Sequence, residues 1–352
     1  ALNSTDANGT IAIGHQAGKA ITSAQESVLI GRQAGQTLTT GDANTAVGHY
    51  ALYHNVTGNY NTAIGRGAGA RFLNAESTAL GYYAGHYASG SYNTFLGSQA
   101  GKGGTTSAPY SSGEDNTAVG KSALAGFTTG FSNTAIGRHA MQSATTAHEN
   151  VALGANAGYA ITSGADNVVI GFESARYYET NERNVTIGHK AHYTAANGDD
   201  NVIIGYHAGY NCNLSDWNVF IGGYAGYKLG DNGGATGDNN GDSSYNIAIG
   251  YEAMGGGDDT VANNVAAANV AIGHHTLGGS TRESDGTALS GDQNTVVGTF
   301  AMEDATSAAN NVAIGHDAGK SITTGDSNVI IGSNALDAAT TALNNVAIGP
   351  GA

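Results

Sequence analysis

One pentad recurs from end to end of this chain: Asn, a β-branched residue, a small or apolar residue, an aliphatic residue, and Gly. It reads Asn44-Thr45-Ala46-Val47-Gly48, Asn61-Thr62-Ala63-Ile64-Gly65, Asn150-Val151-Ala152-Leu153-Gly154 and Asn311-Val312-Ala313-Ile314-Gly315. Its glycine falls at 19 positions between Gly14 and Gly349, and of the 18 intervals 12 are 17 residues, two are 16 and four are longer. A fixed period of this length is the signature of a repeat architecture, in which each unit is one supersecondary element stacked on the next.

The columns of the repeat have physical meaning. The residue before the glycine is Ile, Val or Leu in all 19 copies, and the residue three before it is Val, Ile or Thr in all 19. Alternate strand residues share a face, so these two columns form one β-branched face. Between them stands Ala in 11 copies and otherwise Leu, Val, Ile, Phe or Thr. Apolar residues on both faces predict a strand buried on both sides. Asn precedes the strand in 16 copies, with Thr10, Ser27 and Ser77 as exceptions. At the ~4.8 Å spacing of neighbouring strands these amides are expected to bond from coil to coil as a ladder. The expected structural ladder includes Asn44, Asn61, Asn150, Asn167, Asn184, Asn201 and Asn218 with Gly48, Gly65, Gly154, Gly171, Gly188, Gly205 and Gly222. Ala follows three residues after the glycine in 17 copies, which implies a tight corner. A second turn reads Thr39-Thr40-Gly41-Asp42 or Thr323-Thr324-Gly325-Asp326, where Gly and Asp suit left-handed backbone and local hydrogen bonding.

Seventeen residues cannot hold two helices and their connections, so the expectation is all-β: a parallel β-solenoid of about 19 coils of ~17 residues, with two short strands and two turns per coil. Nineteen coils make a rod on the order of 90 Å long. The expected organisation is a single repeat domain over residues 1–352, with loop insertions near 101–115, 227–245, 255–268 and 277–293. A narrow coil takes only one strand face inside. The other face is expected to meet another copy, with the Ala-rich column suited to close approach about an axis and a trimer as the natural copy number. The chain starts and stops within repeats, so its ends are expected to join neighbouring domains or subunits. The formal charge of −15, with 13 basic residues and no basic stripe, argues against nucleic acid as a partner. With a single cysteine, Cys212, stability must come from packing and hydrogen bonds. No apolar run approaches 18 residues, so no membrane insertion is expected.

The Asn-Val-Ala-Ile-Gly unit resembles the head-domain repeat of YadA-like trimeric autotransporter adhesins. It also resembles the repeats of bacteriophage tail-fibre proteins, where Asn-Thr-Ala-Ile-Gly units with Thr-Thr-Gly connections are frequent. The adhesin likeness implies a trimeric, left-handed parallel β-roll on a bacterial surface, and the phage likeness an elongated trimeric fibre of the virion that attaches to a host surface through a glycan or protein. The adhesin head repeat is shorter than 17 residues, which favours the tail fibre. A weaker likeness, through Ile13-Gly14-His15-Gln16-Ala17, is to the hexapeptide β-helix of acyltransferases, but 17 is not three times six.

The two positions after each glycine vary and are polar or aromatic, as on a display surface. They hold eight of the 12 histidines, among them His15, His49, His139, His207, His275 and His316. Phe172, His189, Tyr206, Tyr251 and His274 occupy one column in successive coils, with Tyr224 one place along, and form the candidate receptor or glycan surface. Asp231, Asp238 and Asp242 in one insertion are oxygen donors of the kind Ca²⁺ takes, though not at the spacing of a standard calcium loop. His274 and His275 with Asp258 and Asp259 are a weaker metal candidate, because neighbouring strand residues point opposite ways. No other cofactor and no catalytic constellation is expected; the chain does not read as an enzyme. Asn-x-Ser/Thr triplets begin at Asn3, Asn8, Asn55, Asn184 and Asn213, at the rate that chance gives in such a composition. Paired threonines (39–40, 128–129, 145–146 and 340–341) raise an ice-binding solenoid as a remote third function.

Overall fold

The computed structural model describes residues 8–105, 110–194, 198–212, 216–229, 243–255, 266–278 and 289–352. The chain is an all-β solenoid of 19 parallel strands with about 17 residues per turn, and the described residues contain no helix. It divides into two compact units, Ala1–Ile170 and Gly171–Ala352. The first carries ten strands, from β1 (Ile11–Ile13) to β10 (Val168–Ile170). The second carries nine, from β11 (Val185–Ile187) to β19 (Val346–Ile348). Every strand is three residues long and ends on the residue before its glycine. Within each unit consecutive strands pair in parallel and in unbroken register, as Thr45↔Thr62, Ala46↔Ala63 and Val47↔Ile64 do. The longer repeats keep that register: Val219 still pairs with Ile247 and Val270 with Thr295.

Two expectations are corrected. First, the described residues form one strand per coil and not two. The return side is a run of bends whose backbone groups pair with the next coil, as Thr39 N–H does with the Val56 carbonyl at 2.9 Å. Among the described residues, isolated bridges of Ala88 with Ser111 and of His148 with Ala165 mark where a second strand was expected. Second, the central strand residue is the one that points inward. Ala46, Ala63, Phe95, Phe220 and Val296 have no exposed surface, whereas Ile64, Leu80, Leu96 and Ile314 just before their glycines are 38–42% exposed. The Ala-rich column therefore lines the core, and the β-branched columns form the outer face. The coil circumference explains the choice. The interior also receives the residues three, four and seven after the glycine, so little volume is left for the strand's own contribution.

Those inward positions compensate one another. Where the strand residue is Phe95 or Phe220, the position four after the glycine is Gly101 or Gly226, and a Cβ on Gly226 would meet the Phe220 ring at 2.5 Å. Where the strand residue is Ala135, that position is Met141 and the third is Ala144; where it is Ala63, the set is Gly69 and Phe72. A Cβ on Gly69 would sit 2.7 Å from Phe72. Such exchange between large and small residues keeps the interior close-packed where coil sequences differ.

The polar spine is the expected asparagine ladder. Asn44 Oδ1 accepts the backbone N–H of Asn61 at 3.0 Å, and Asn44 Nδ2 donates to the Gly58 carbonyl at 2.8 Å. The chain of contacts repeats at Asn150→Asn133 and Asn201→Asn184, each side-chain pair at 3.1 Å, and both asparagines are buried. The Asp of the Thr-Thr-Gly-Asp turn acts between coils and not locally: Asp42 Oδ1 accepts Gln25 N–H at 2.7 Å and Asp326 Oδ1 accepts Ala309 N–H at 2.8 Å. The repeat glycines have φ of 125–147°, and a Cβ on Gly48 would lie 2.5 Å from the Gly65 carbonyl oxygen. No residue with a side chain fits there.

Candidate functional site

Each coil leaves its glycine through left-handed backbone at the second and fourth following residues, as at Tyr50 (φ 64°) and Leu52 (φ 47°), and again two residues before the next strand, as at Tyr60 (φ 57°). This zigzag sends the first residue after the glycine outward, half-buries the second and fifth, and turns the third and fourth into the core. Side chains of equal offset then recur once per coil and can stack.

In the second unit the candidate residues do come together. Phe172 and His189 stack at 5.3 Å and 23°, and His189 and Tyr206 at 5.3 Å and 17°. Tyr251 and His274 stack at 5.6 Å and 18°. Tyr224 joins edge-on, 5.4 Å from Tyr206 and 5.9 Å from Tyr251. The reason is its offset: Gly223 holds the outward position in that coil, and the Tyr251 ring lies against it. The strip continues through Phe300, 5.4 Å from His274, to His316. Phe172, Tyr206 and Tyr251 are 44–49% exposed, so these rings cover one another only along the stack.

A second column, which the sequence reading missed, widens the strip. Tyr193, Tyr210 and Tyr227 each stand five residues after Gly188, Gly205 and Gly222, and they stack at 5.2 and 5.7 Å. His207 bridges the columns, 4.1 Å from Tyr206 and 4.8 Å from Tyr210. Burial, with His189 and Lys190 nearby, pushes the His207 imidazole below its ordinary range and favours its neutral form. The constant offset from the glycine was the available signal. That offset lies beyond the two variable positions after the glycine, where the sequence draws the eye first. Cations fringe the strip over ring faces: Lys190 over Tyr193 at 5.2 Å and Lys228 over Tyr227 at 5.0 Å. Flat rings with polar edges suit sugar rings or partner side chains.

His274 and His275 do not point to opposite faces. Both lie past the strand, their rings are 4.0 Å apart, and His275 Nδ1 lies 3.1 Å from Glu252 Oε2. No group of three or more His, Cys, Asp or Glu side chains converges as a metal site among the described residues. Asp231, Asp238, Asp242, Asp258 and Asp259 lie outside the described residues, as do Asn3 and Asn213. Asn184 is buried in the ladder and Asn55 in a local turn that bonds Gly58, so neither presents its amide for glycosylation. Cys212 is buried and its thiol donates to the Gly226 carbonyl at 2.9 Å, a structural role. The paired threonines are bound into the return side: Thr128 and Thr145 hydroxyls donate to carbonyls one coil on, at 3.0 and 2.9 Å. No helix among the described residues is long and apolar enough to cross a membrane. Compared with known proteins, the chain matches no family model and no curated protein.

Proposed function

We propose that this chain is a fibre module of a phage tail fibre, a self-associating stalk segment that holds an aromatic strip against a host surface. The observation that carries the reading is the coil ladder itself. Strand after strand repeats in register within each unit, which supports a role in reach and stiffness. Its outer strand columns carry no charged residue in any of the 19 copies, although the whole chain has a formal charge of −15. An uncharged β-branched face on an acidic chain fits burial against further copies of itself, and three copies give a closed fibre. The strip from Phe172 to His274 then serves as the contact surface for a cell-surface glycan or protein. The setting is the virion, outside the host cell.

A bacterial adhesin head of the trimeric autotransporter type makes the same use of these features. A stalk and membrane anchor encoded downstream in the parent gene would decide for the adhesin; tail genes on either side would decide for the phage. Ice binding is less well supported, because the outward threonines of Thr45, Thr62, Thr78, Thr94, Thr117 and Thr134 give way to Val151, Val168 and Val185.

The direct test of attachment is a glycan array and whole-cell binding assay with the full chain. Tyr206→Ala combined with Tyr251→Ala should lower binding about tenfold or more while leaving the circular dichroism spectrum unchanged, since both rings are half exposed. Undiminished binding by that double variant would remove the strip from the attachment role.

A further inference from the structure

The first unit contains a feature that the aromatic strip lacks: a half-open hollow of about 290 Å³ lined by Tyr50, Tyr53, His54, Arg71, Tyr83 and His86, with Ala70 on its floor. Its origin is legible in the repeat. The coils of Gly48 and Gly81 carry large residues two and five after the glycine, Tyr50 with Tyr53 and Tyr83 with His86. The coil between them carries Gly67 and Ala70 at those offsets. Gly67 is not there for its backbone, because Tyr50, Gly67 and Tyr83 share the same left-handed conformation, with φ of 64°, 64° and 53°. Two side chains are simply missing from an otherwise continuous double column. The Tyr83 ring leans over Gly67, and the space above Ala70 stays open between aromatic walls.

The polar groups at this hollow are of one sign. Arg71 lies over the Tyr110 ring at 4.6 Å, a face contact that leaves the guanidinium's N–H edges for a ligand. Arg71 has no carboxylate within ion-pair distance among the described residues. From residue 43 to residue 113 the only acidic residue is Glu76, against Arg66, Arg71 and Lys102, a locally positive stretch in a chain of charge −15. The two imidazoles add hydrogen-bonding groups without charge. Burial, with Arg71 and His86 beside it, holds His54 down to about 4. His86 is lowered too, first by burial, and its Nδ1–H donates to the Gly67 carbonyl at 2.8 Å, so Nε2 is left as an acceptor. Tyr50 and Tyr53 meet edge to face at 4.9 Å, Tyr53 and His54 at 4.4 Å, and Tyr83 and His86 contact at 4.4 Å, so the walls brace one another.

We infer that this hollow is a binding site for one carboxylated pyranose, its carboxylate on the Arg71 guanidinium and its ring against Tyr50, Tyr53 and Tyr83. The volume sits at the lower edge of the roughly 300–1,000 Å³ of small-ligand clefts, which suits a single ring. The open mouth lets that ring be one residue of a longer glycan. A fixed guanidinium selects a planar anion, the aromatic walls take the C–H face of the ring, and neutral imidazoles exchange hydrogen bonds with hydroxyls. A uronic acid and a sialic acid both carry this chemistry. The site lies in the first unit and the aromatic strip in the second, so either can fail without the other.

The test uses the full chain and three probes: a methyl glucuronide, the methyl glycoside of N-acetylneuraminic acid, and a neutral methyl glucoside. Calorimetry and saturation-transfer NMR should find at least one of the two acids bound at about 1 mM or tighter, and the glucoside at least about tenfold weaker. Which acid binds identifies the source. Arg71→Gln should weaken the acid about tenfold or more. Ala70→Tyr should abolish binding without unfolding the coil, because Tyr53 and His86 already occupy the same offset in the adjoining coils. Failure of both acids to bind, equal binding of the glucoside, or unchanged binding by Ala70→Tyr would overturn the assignment. Loss of strip-dependent cell binding alone would leave it standing.

Discussion

At the scale of single residues, the repeat works because two positions admit almost no substitute. Each ladder asparagine closes one coil with its amide nitrogen and receives the next through its carbonyl oxygen. Asn150 Nδ2 reaches the Gly164 carbonyl at 2.8 Å, and Asn150 Oδ1 takes Asn167 N–H at 3.0 Å. Asn150→Ala leaves several buried partners unsatisfied and should cost about 1–3 kcal/mol, read from the urea midpoint. Asn150→Ser should cost less. The natural exceptions show why: Ser77 Oγ accepts Asn93 N–H at 3.2 Å, and Ser27 Oγ accepts Asn44 N–H at 3.1 Å, so a hydroxyl keeps the acceptor half of the function. Equal losses for Ala and Ser would mean that the donor half alone matters. These roles were readable in the sequence, because a residue held to one chemical type in 16 of 19 copies is held by chemistry and not by volume. The Asp of the turn was read only halfway. Its type was visible, but the carboxylate reaches across to the neighbouring coil, and nothing in one repeat shows that direction.

A single coil is where the sequence said least. Alternation inside a three-residue strand cannot tell inside from outside when both faces are apolar, so the Ala column was placed on the wrong face. Left-handed residues were invisible as well, since Tyr50, Leu52 and Tyr60 are types seldom found there and the coil imposes the conformation on whatever stands at the offset. The volume exchange among inward positions follows once the faces are known, and it is testable. Phe72→Ala alone should destabilise by about 3–5 kcal/mol, and Gly69→Met alone should overpack against Phe72. Together they recreate the set Ala135, Met141 and Ala144, and the double variant should recover most of the loss in a thermal melt. Additive losses would show that the coils do not exchange volume. Neighbouring coils of the second unit place polar groups in the core. The Thr186 hydroxyl and Tyr178 hydroxyl lie 3.0 Å apart, Tyr178 bonds His192 Nδ1, and His192 Nε2 lies 3.2 Å from the Cys212 carbonyl. Burial lowers His192 to about 4, the Cys212 carbonyl opposing this in part. A histidine whose folded value lies below its unfolded ~6.5 takes up protons on unfolding between those values. Stability is therefore complete above pH 6.5 and falls as pH drops towards 4, by up to about 3 kcal/mol. Amide exchange in the second unit should quicken over that window, and His192→Gln should flatten the response. A wild-type unit equally protected at pH 4.5 and pH 7 would refute the assignment.

At the scale of the whole molecule, the outward strand columns decide how the chain lives in solution. In the first unit Ile64, Leu80, Leu96, Ile136 and Leu153 are 37–44% exposed, and in the second Ile272, Ile314 and Ile331 are 37–41% exposed, each one coil or a few coils from the next. Isolated exposed aliphatics are ordinary, but an in-register file of them within each unit, without one charge, supports the self-association proposed above. A file of equal residues also favours symmetric partners, because each copy offers the same register to the others. The chain has a mass of 35.2 kDa, so light scattering at micromolar concentration should give an integral multiple of that value, with three the expected number. Placing Lys at Ile136, Leu153 and Ile314 together puts charge into the face and leaves the core columns untouched, since the inward residues there are Ala135, Ala152 and Ala313. That variant should return the monomer mass while keeping the β-rich circular dichroism spectrum, because half-exposed positions tolerate a long amphipathic side chain. If the wild type is already monomeric, its outer columns are solvated as they stand, and the proposed self-association fails.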